Sequence, residues 1–355
     1  MKRLRILHLD SGKTWRGGQR QALLLALGLR DRGHEPFLIG SPHSPLVQKA
    51  QAAGLAVGAF PMVSDWDVRA ARRIRSRMRA WNVDMVHAHD ARSHALAMIA
   101  VLGRPEIPLV VTRRVAFRPR SLRIKYGPRV TRFIAISRAV RDAMTGAGID
   151  HARISIVHSG IAPRTMPVTP RDWRSELGWP ADCVVCGIVG AMTAEKGVDL
   201  LPAIAAAMTP SAAEKTRVVL LGGVTTAGVP SAGALTVHAA GFVADIDPAI
   251  AGLDLLWHPS RSEGLGTSVI DAMSLGVPPI AFAIGGLPEV IEDDVSGILV
   301  PARDPRAFAR AASLMVEDAA LRKRMSVAAL ARASTFTADA MTEQTEQVYE
   351  GILRG

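Results

Sequence analysis

The stretch Leu253–Ala283, LDLLWHPSRSEGLGTSVIDAMSLGVPPIAFA, decides the fold. An apolar run ends near Pro259, and the small-residue loop SRSEGLG follows. A helix is expected from about Ser268 to Leu275, stopped by Gly276 and Pro278, before the apolar run PPIAFA. Strand, helix and strand in so short a span form the repeating unit of a parallel sheet flanked by helices. Within the loop, Glu263 precedes the helix and has no structural task there. Asp271, eight positions on, completes Ser268-x-x-Asp271, which approximates a capping box. The helix start near Gly266 and Thr267 presents backbone N–H groups to an anion.

The same rhythm runs through the chain. Strands are expected at ILHLD, PFLIG, DMVHAH, PLVVTR, RFIAIS and RISIVH in the first half. In the second they are expected at CVVCGIVG, RVVLLGG, LTVHAAG, LDLLWHP, PPIAFA and GILVP. The intervening segments, such as GGQRQALLLALGLRDRGH, place apolar residues at helical spacing. Ile161–Asp172, IAPRTMPVTPRD, contains three prolines and separates the two series as a linker. The expected fold class is α/β, with two doubly wound Rossmann-like domains, residues 1–162 and 163–337, facing each other across a cleft. Ligands are expected at the carboxyl ends of the strands.

No apolar run reaches the roughly 18 residues of a membrane-spanning helix, and the basic start lacks a signal peptide's apolar stretch. A cytoplasmic protein is expected. Cys183 and Cys186 sit in an apolar strand with no second pair, so buried free thiols are expected rather than a redox or zinc site. The net charge of +11 is unevenly spread: residues 1–162 carry 28 Lys and Arg against 10 Asp and Glu, residues 163–355 carry 15 against 22. A basic half implies an anionic partner. The tract Arg69–Asn82 reads as a helix with an apolar stripe of Ile74, Met78 and Trp81 among arginines. It suits an anionic membrane surface, as does the tract Arg113–Arg132. No nucleic-acid motif accompanies them, and no nucleic-acid partner is expected.

Two glycine loops open helices: Gly17-Gly18 after the first strand, and Gly190 through Gly197 with Lys196 just ahead of its helix. Neither fits a dinucleotide or P-loop pattern. A lysine so placed suits a phosphate.

The ordered set of motifs resembles the GT-B retaining glycosyltransferases of family 4 over nearly the whole chain. Glu263-GLGTSVI-Asp271 matches that family's Glu-x7-Glu motif, and VGAMTAEKG (Val189–Gly197) its glycine-loop-lysine segment. GFVADI (Gly241–Ile246), HPSRSEG and GGLPE (Gly285–Glu289) match further turns. In the first half, WRGGQRQALLLALGLRDRGHE, DMVHAHD and FIAISRAVRD match its glycine loop and following strands. The resemblance implies transfer of a sugar, with retention, from a nucleotide-diphosphate sugar to an acceptor hydroxyl, without a metal or other cofactor. Glu263 would meet the sugar hydroxyls. Gly190, Lys196 and the backbone of Gly264, Leu265, Gly266 and Thr267 would surround the diphosphate. Asp271 would meet the ribose, and Phe242 and Val243 the base. Gly17 and Gly18 would line the opposite side. His89 joins Glu263 and Lys196 as a catalytic candidate; His87 and His89 alternate on one strand, with no third histidine placed beside them. The last helix, about 338–355, would return to the first domain.

Three departures stand out. Ala191 occupies the position of the family's arginine, and Asp271 that of its second glutamate. Arg113 and Arg114 follow a strand where the family often has histidine, and are candidates either for an anionic acceptor, a lipid-linked or phosphorylated cell-envelope glycan, or for the phosphate contact that Ala191 lacks. A nucleotide-sugar epimerase of the same architecture and a non-catalytic sugar-nucleotide or lipid-binding protein are the alternatives.

Overall fold

The computed structural model describes residues 3–118, 125–164, 166–223 and 233–354. The chain divides into two compact units, Met1–Ala162 with Thr337–Gly355, and Pro163–Phe336.

The first unit holds a seven-stranded sheet among the described residues: β1 (Arg5–Asp10), β2 (Glu35–Gly40), β3 (Ala56–Ala59), β4 (Met85–Ala88), β5 (Leu109–Arg113), β6 (Arg132–Ala135) and β7 (Ile154–Ile156). Their order is β3-β2-β1-β4-β5-β6-β7, every neighbouring pair parallel. β1, β2, β4 and β5 are almost wholly buried, as strands covered by helices on both faces are. β3 was not among the expected strands. It is a four-residue edge strand, AVGA, paired with β2 alone. Short edge strands of small residues carry little periodic signal.

Helix α1 (Gly17–Asp31) and the final helix Ala338–Arg354 pack together. Met341 and Tyr349 of the latter enter the same core as Leu4, Ile6, Leu25, Leu29, Met85 and Val110. Glu346 accepts from His34 Nε2 at 2.7 Å and from Arg32 at 3.2 Å. Where the chain leaves and re-enters this unit, Ile161 bridges Thr337, and Ala338 N donates to Ile161 O at 2.8 Å.

Helix α2 (Val68–Ala80) is capped by Asp67 and buries Ala70, Ala71, Ile74 and Met78. Trp81 stacks on Phe37 beyond its end. Not all of its arginines face solvent: Arg75 donates to the carbonyls of Ile99, Ala100 and Leu102. Of the second basic tract, residues 119–124 lie outside the described residues.

The second unit holds a six-stranded parallel sheet among the described residues: β8 (Val184–Val189), β9 (Thr216–Leu221), β10 (Thr236–Gly241), β11 (Leu255–His258), β12 (Pro279–Phe282) and β13 (Ile298–Val300), in the order β10-β9-β8-β11-β12-β13. Its core centres on Trp257, Phe282 and Phe308. Cys183 and Cys186 are buried and free, and burial pushes both thiols up.

Candidate active site

In the second sheet the strand order reverses between β8 and β11. Such a switch point leaves a crevice at the carboxyl ends of the two strands. The loop after β8 carries Lys196 on a short turn of 3-10 helix, Ala194–Lys196. The loop after β11 carries Glu263. Their side chains meet: Lys196 Nζ lies 2.7 Å from Glu263 Oε2, and His258 Nε2 approaches the same oxygen at 3.0 Å. Gly264 N donates to Oε1 at 3.3 Å. Burial alone would push the Glu263 carboxyl up, but the hydrogen bond and charge of His258 and the Lys196 ammonium outweigh it and hold it at about 2. Burial also favours neutral His258, so at neutral pH its contribution is the Nε2–H hydrogen bond.

Two glycines make these loops possible. A Cβ on Gly197 (φ 72°) would lie 2.0 Å from Pro259 O, and one on Gly285 (φ 53°) would lie 1.8 Å from Glu263 O. The lysine turn and the GGLPE segment therefore both pack directly against the Glu263 loop, at positive φ that only glycine adopts readily.

The helix after the loop runs Thr267–Met273, with Gly266 as its N-cap and no side-chain cap. It starts one residue earlier than expected, so Ser268 lies inside the first turn and the Ser268–Asp271 capping box does not form. Leu265 and Asp271 are buried. Gly190 turns off β8, its N–H donating to Leu221 O at 3.0 Å. Phe242, 76% exposed, and Val243 follow β10. Ala191 is exposed beside the lysine turn.

The first sheet reverses order between β1 and β4, and its expected residues gather there. Asp10, at the end of β1, accepts from Gln19 Nε2 at 2.9 Å and from Gly12 N at 2.8 Å. Burial, then the charge of Asp90, raises its carboxyl to about 6, against the opposing bonds and Arg114. Gly17 and Gly18 begin α1, and a Cβ on Gly18 would sit 3.4 Å from Arg114 Cδ. Burial lowers Arg114 to about 10, with Asp10 opposing, so it stays cationic. Arg113 is folded back: Nη1 donates to Tyr126 Oη at 2.6 Å and Nη2 to Phe117 O at 2.5 Å.

His89 is buried and bonds through Nε2 to His8 Nδ1 at 3.0 Å. His87 bonds Tyr349 Oη at 2.6 Å and Thr112 Oγ1 at 2.7 Å. A third histidine thus does join the pair. Ligand nitrogens of His8, His87 and His89 lie within 4.8 Å of one another. Both His87 nitrogens are engaged, and burial holds all three rings neutral. His89 therefore belongs to this buried network of the first unit, whereas Lys196 and Glu263 belong to the second. Sequence reasoning also missed His258, Asp10 and Gln19. The signal for His258 and Asp10 was a polar residue ending an apolar strand.

Residues 183–318 match the Glycosyl transferases group 1 profile, and residues 15–164 match Glycosyltransferase Family 4. The chain belongs to the group 1, family 4 glycosyltransferases. Relatives of this family 4 glycosyltransferase include two D-inositol 3-phosphate glycosyltransferases. That of Salinispora arenicola is 28% identical over 317 residues, covering 78% of this chain and 70% of the relative. That of Mycobacterium avium is 31% identical over 292 residues, covering 77% and 65%. A third, from Streptomyces griseus, is matched over only 50% of its length, so the chain spans between half and 70% of these relatives. Among solved structures, Anabaena Alr3699/HepE in complex with UDP and glucose superposes with a TM-score of 0.83 at 21% identity, covering 98% of this chain and 100% of that one. A glycosyltransferase of Rickettsia africae gives 0.83 at 19%, covering 100% of each. These likenesses establish the GT-B fold type, two Rossmann-like domains. No helix among the described residues is long and apolar enough to cross a membrane.

Proposed function

We propose that this family 4 glycosyltransferase moves a hexose from a nucleotide-diphosphate sugar to a hydroxyl of an anionic acceptor, with retention of configuration. The observation that carries this reading is the meeting of Lys196 and Glu263 at the β8/β11 switch point, 2.7 Å apart. A carboxylate held ionised accepts hydrogen bonds from sugar hydroxyls, and an adjacent ammonium neutralises a diphosphate. Stabilising the leaving diphosphate is the main catalytic task, met by Lys196 and the N–H groups of Leu265 to Thr267 without a metal. Asp271 meets the ribose and Phe242 with Val243 the base. No protein nucleophile is needed: the acceptor oxygen attacks from the face that the diphosphate leaves, and its proton departs with the diphosphate.

The acceptor is phosphorylated or lipid-linked, a cell-envelope glycan. Support comes from relatives named for a phosphorylated inositol and from Arg114 at the end of β5 in the basic unit. The exposed Arg69, Arg72 and Arg79 of α2, with Trp66 and Val63 67% and 73% exposed beside them, suit a peripheral position on the inner face of an anionic membrane.

The test is a thermal-shift screen against UDP, GDP and their sugars, followed by transfer assays with phosphorylated acceptors and NMR of the product's anomeric configuration. Lys196→Ala and Glu263→Ala should remove transfer and leave the fold intact. Near-normal turnover in either variant would sink the assignment, and an inverted product would exclude retention.

A further inference from the structure

Lys196 and Glu263 lie on different loops, and their 2.7 Å approach depends on how those loops are fastened. Arg261, in the same HPSRSEG segment as Glu263, ties the two loops together. Arg261 N donates to Glu195 O at 2.7 Å. The Arg261 guanidinium forks onto Asp199, Nη1 to Oδ1 at 2.6 Å and Nη2 to Oδ2 at 2.7 Å. Nη1 also donates to Ala194 O. This side chain thus grips Ala194, where the lysine turn starts, and Asp199, three residues past its end, while its backbone stands two residues from Glu263.

We propose that Arg261, anchored by Asp199, is a positioning residue for glycosyl transfer. It sets the spacing between the diphosphate-binding ammonium and the sugar-binding carboxylate; this rests on the donor-site reading above. Two features favour positioning over other roles. The pair is 30% and 47% exposed, and ion pairs so exposed add little stability. A bidentate guanidinium–carboxylate fork, however, fixes direction as well as distance, which lysine does not. Nor does Arg261 replace the diphosphate arginine that Ala191 lacks, because both terminal nitrogens already serve protein acceptors. With that cation gone, the placement of Lys196 matters more.

The experiment uses the 355-residue chain as wild type, Arg261→Ala, Arg261→Lys, Asp199→Ala, Asp199→Glu and the double alanine variant. It measures kcat and KM with whichever UDP- or GDP-hexose the wild type turns over, UDP and GDP binding by calorimetry, and thermal midpoints. Misplacement by about 1 Å costs on the order of 100-fold in rate, so kcat should fall about 30- to 100-fold in both alanine variants. The double variant should be no worse than either single one. Nucleoside-diphosphate binding should stay within about threefold and midpoints within a few degrees, as an exposed pair implies. Arg261→Lys should fail like alanine, whereas Asp199→Glu, which keeps the fork, should recover much of the rate. Arg261→Ala with near-wild-type kcat overturns the positioning role alone. So does parallel loss of rate, binding and thermal midpoint, which marks a scaffold residue. A wild type that binds neither nucleotide and turns over no sugar nucleotide overturns this proposal together with the donor-site reading.

Discussion

The Lys196 ammonium lies 2.7 Å from Glu263 Oε2, so the cation suited to a diphosphate is paired with a carboxylate of the protein. Donor binding must loosen that pair. Glu263→Gln should therefore tighten UDP or GDP binding by about fivefold, the size of one partly exposed ion pair of about 1 kcal/mol. Transfer should fall by about 100-fold or more, as when one positioned polar group is lost. Calorimetry and a transfer assay read both quantities. Weaker nucleotide binding in the variant would refute the competition.

Asp10 and Glu263 titrate in opposite senses. Burial and Asp90 raise Asp10 to about 6. A carboxyl raised on folding stabilises the protein below its unfolded value, and that stability is lost as pH rises toward the folded value. The loss between about pH 4 and 6 is about 3 kcal/mol. Asp10→Asn should thus gain stability relative to wild type as pH rises over that window, read from thermal midpoints at several pH values. Glu263, held at about 2, contributes stability above its unfolded value that is lost as pH falls toward about 2. The thermal deficit of Glu263→Gln should shrink in that acid range. A pH-independent gap in both variants would contradict these signs.

The Tyr349 hydroxyl, fully buried, bonds His87 Nδ1 at 2.6 Å. Tyr349→Phe should cost about 1 to 3 kcal/mol by leaving His87 short of a partner. Tyr349→Ala should cost about 3 to 5 kcal/mol through the cavity it opens. Urea unfolding followed at β4 and at the last helix measures both. A Tyr349→Phe variant as stable as the wild type would mean that the hydroxyl contributes nothing.

Replacing the exposed Arg69, Arg72 and Arg79 by glutamine should weaken sedimentation with anionic vesicles. At about 1 kcal/mol per arginine, three together give about 100-fold. Neutral phosphatidylcholine vesicles should show no difference. Equal binding to both vesicle types by the unaltered protein would remove the membrane-surface reading.

The periodicity of buried runs made the expected strands legible, since strands covered on both faces must be apolar throughout. β3 escaped because its AVGA sequence has no bulky residue. Glu263 and Lys196 stood out because each is a charged side chain in a small-residue loop directly after a strand. Their partners did not. Arg261 meets Asp199 across 62 positions and His8 meets His89 across 81, and no local pattern encodes pairing at that range. The Ser268–Asp271 box failed for a local reason: the helix starts at Thr267, with Gly266 rather than Ser268 as its N-cap.

The bridge between Ile161 and Thr337 bears on how such a gene is built and broken. Because the chain's exit and return lie side by side, residues 163–336 are topologically an insertion, removable by joining Ala162 to Thr337. The first unit has the reverse property, since its closing helix is translated only after the whole second unit. A nascent chain stopped at Phe336 would carry a complete second unit and a first unit with Leu25, Leu29 and Met85 uncovered, so a late nonsense codon damages the half of the protein that was made first.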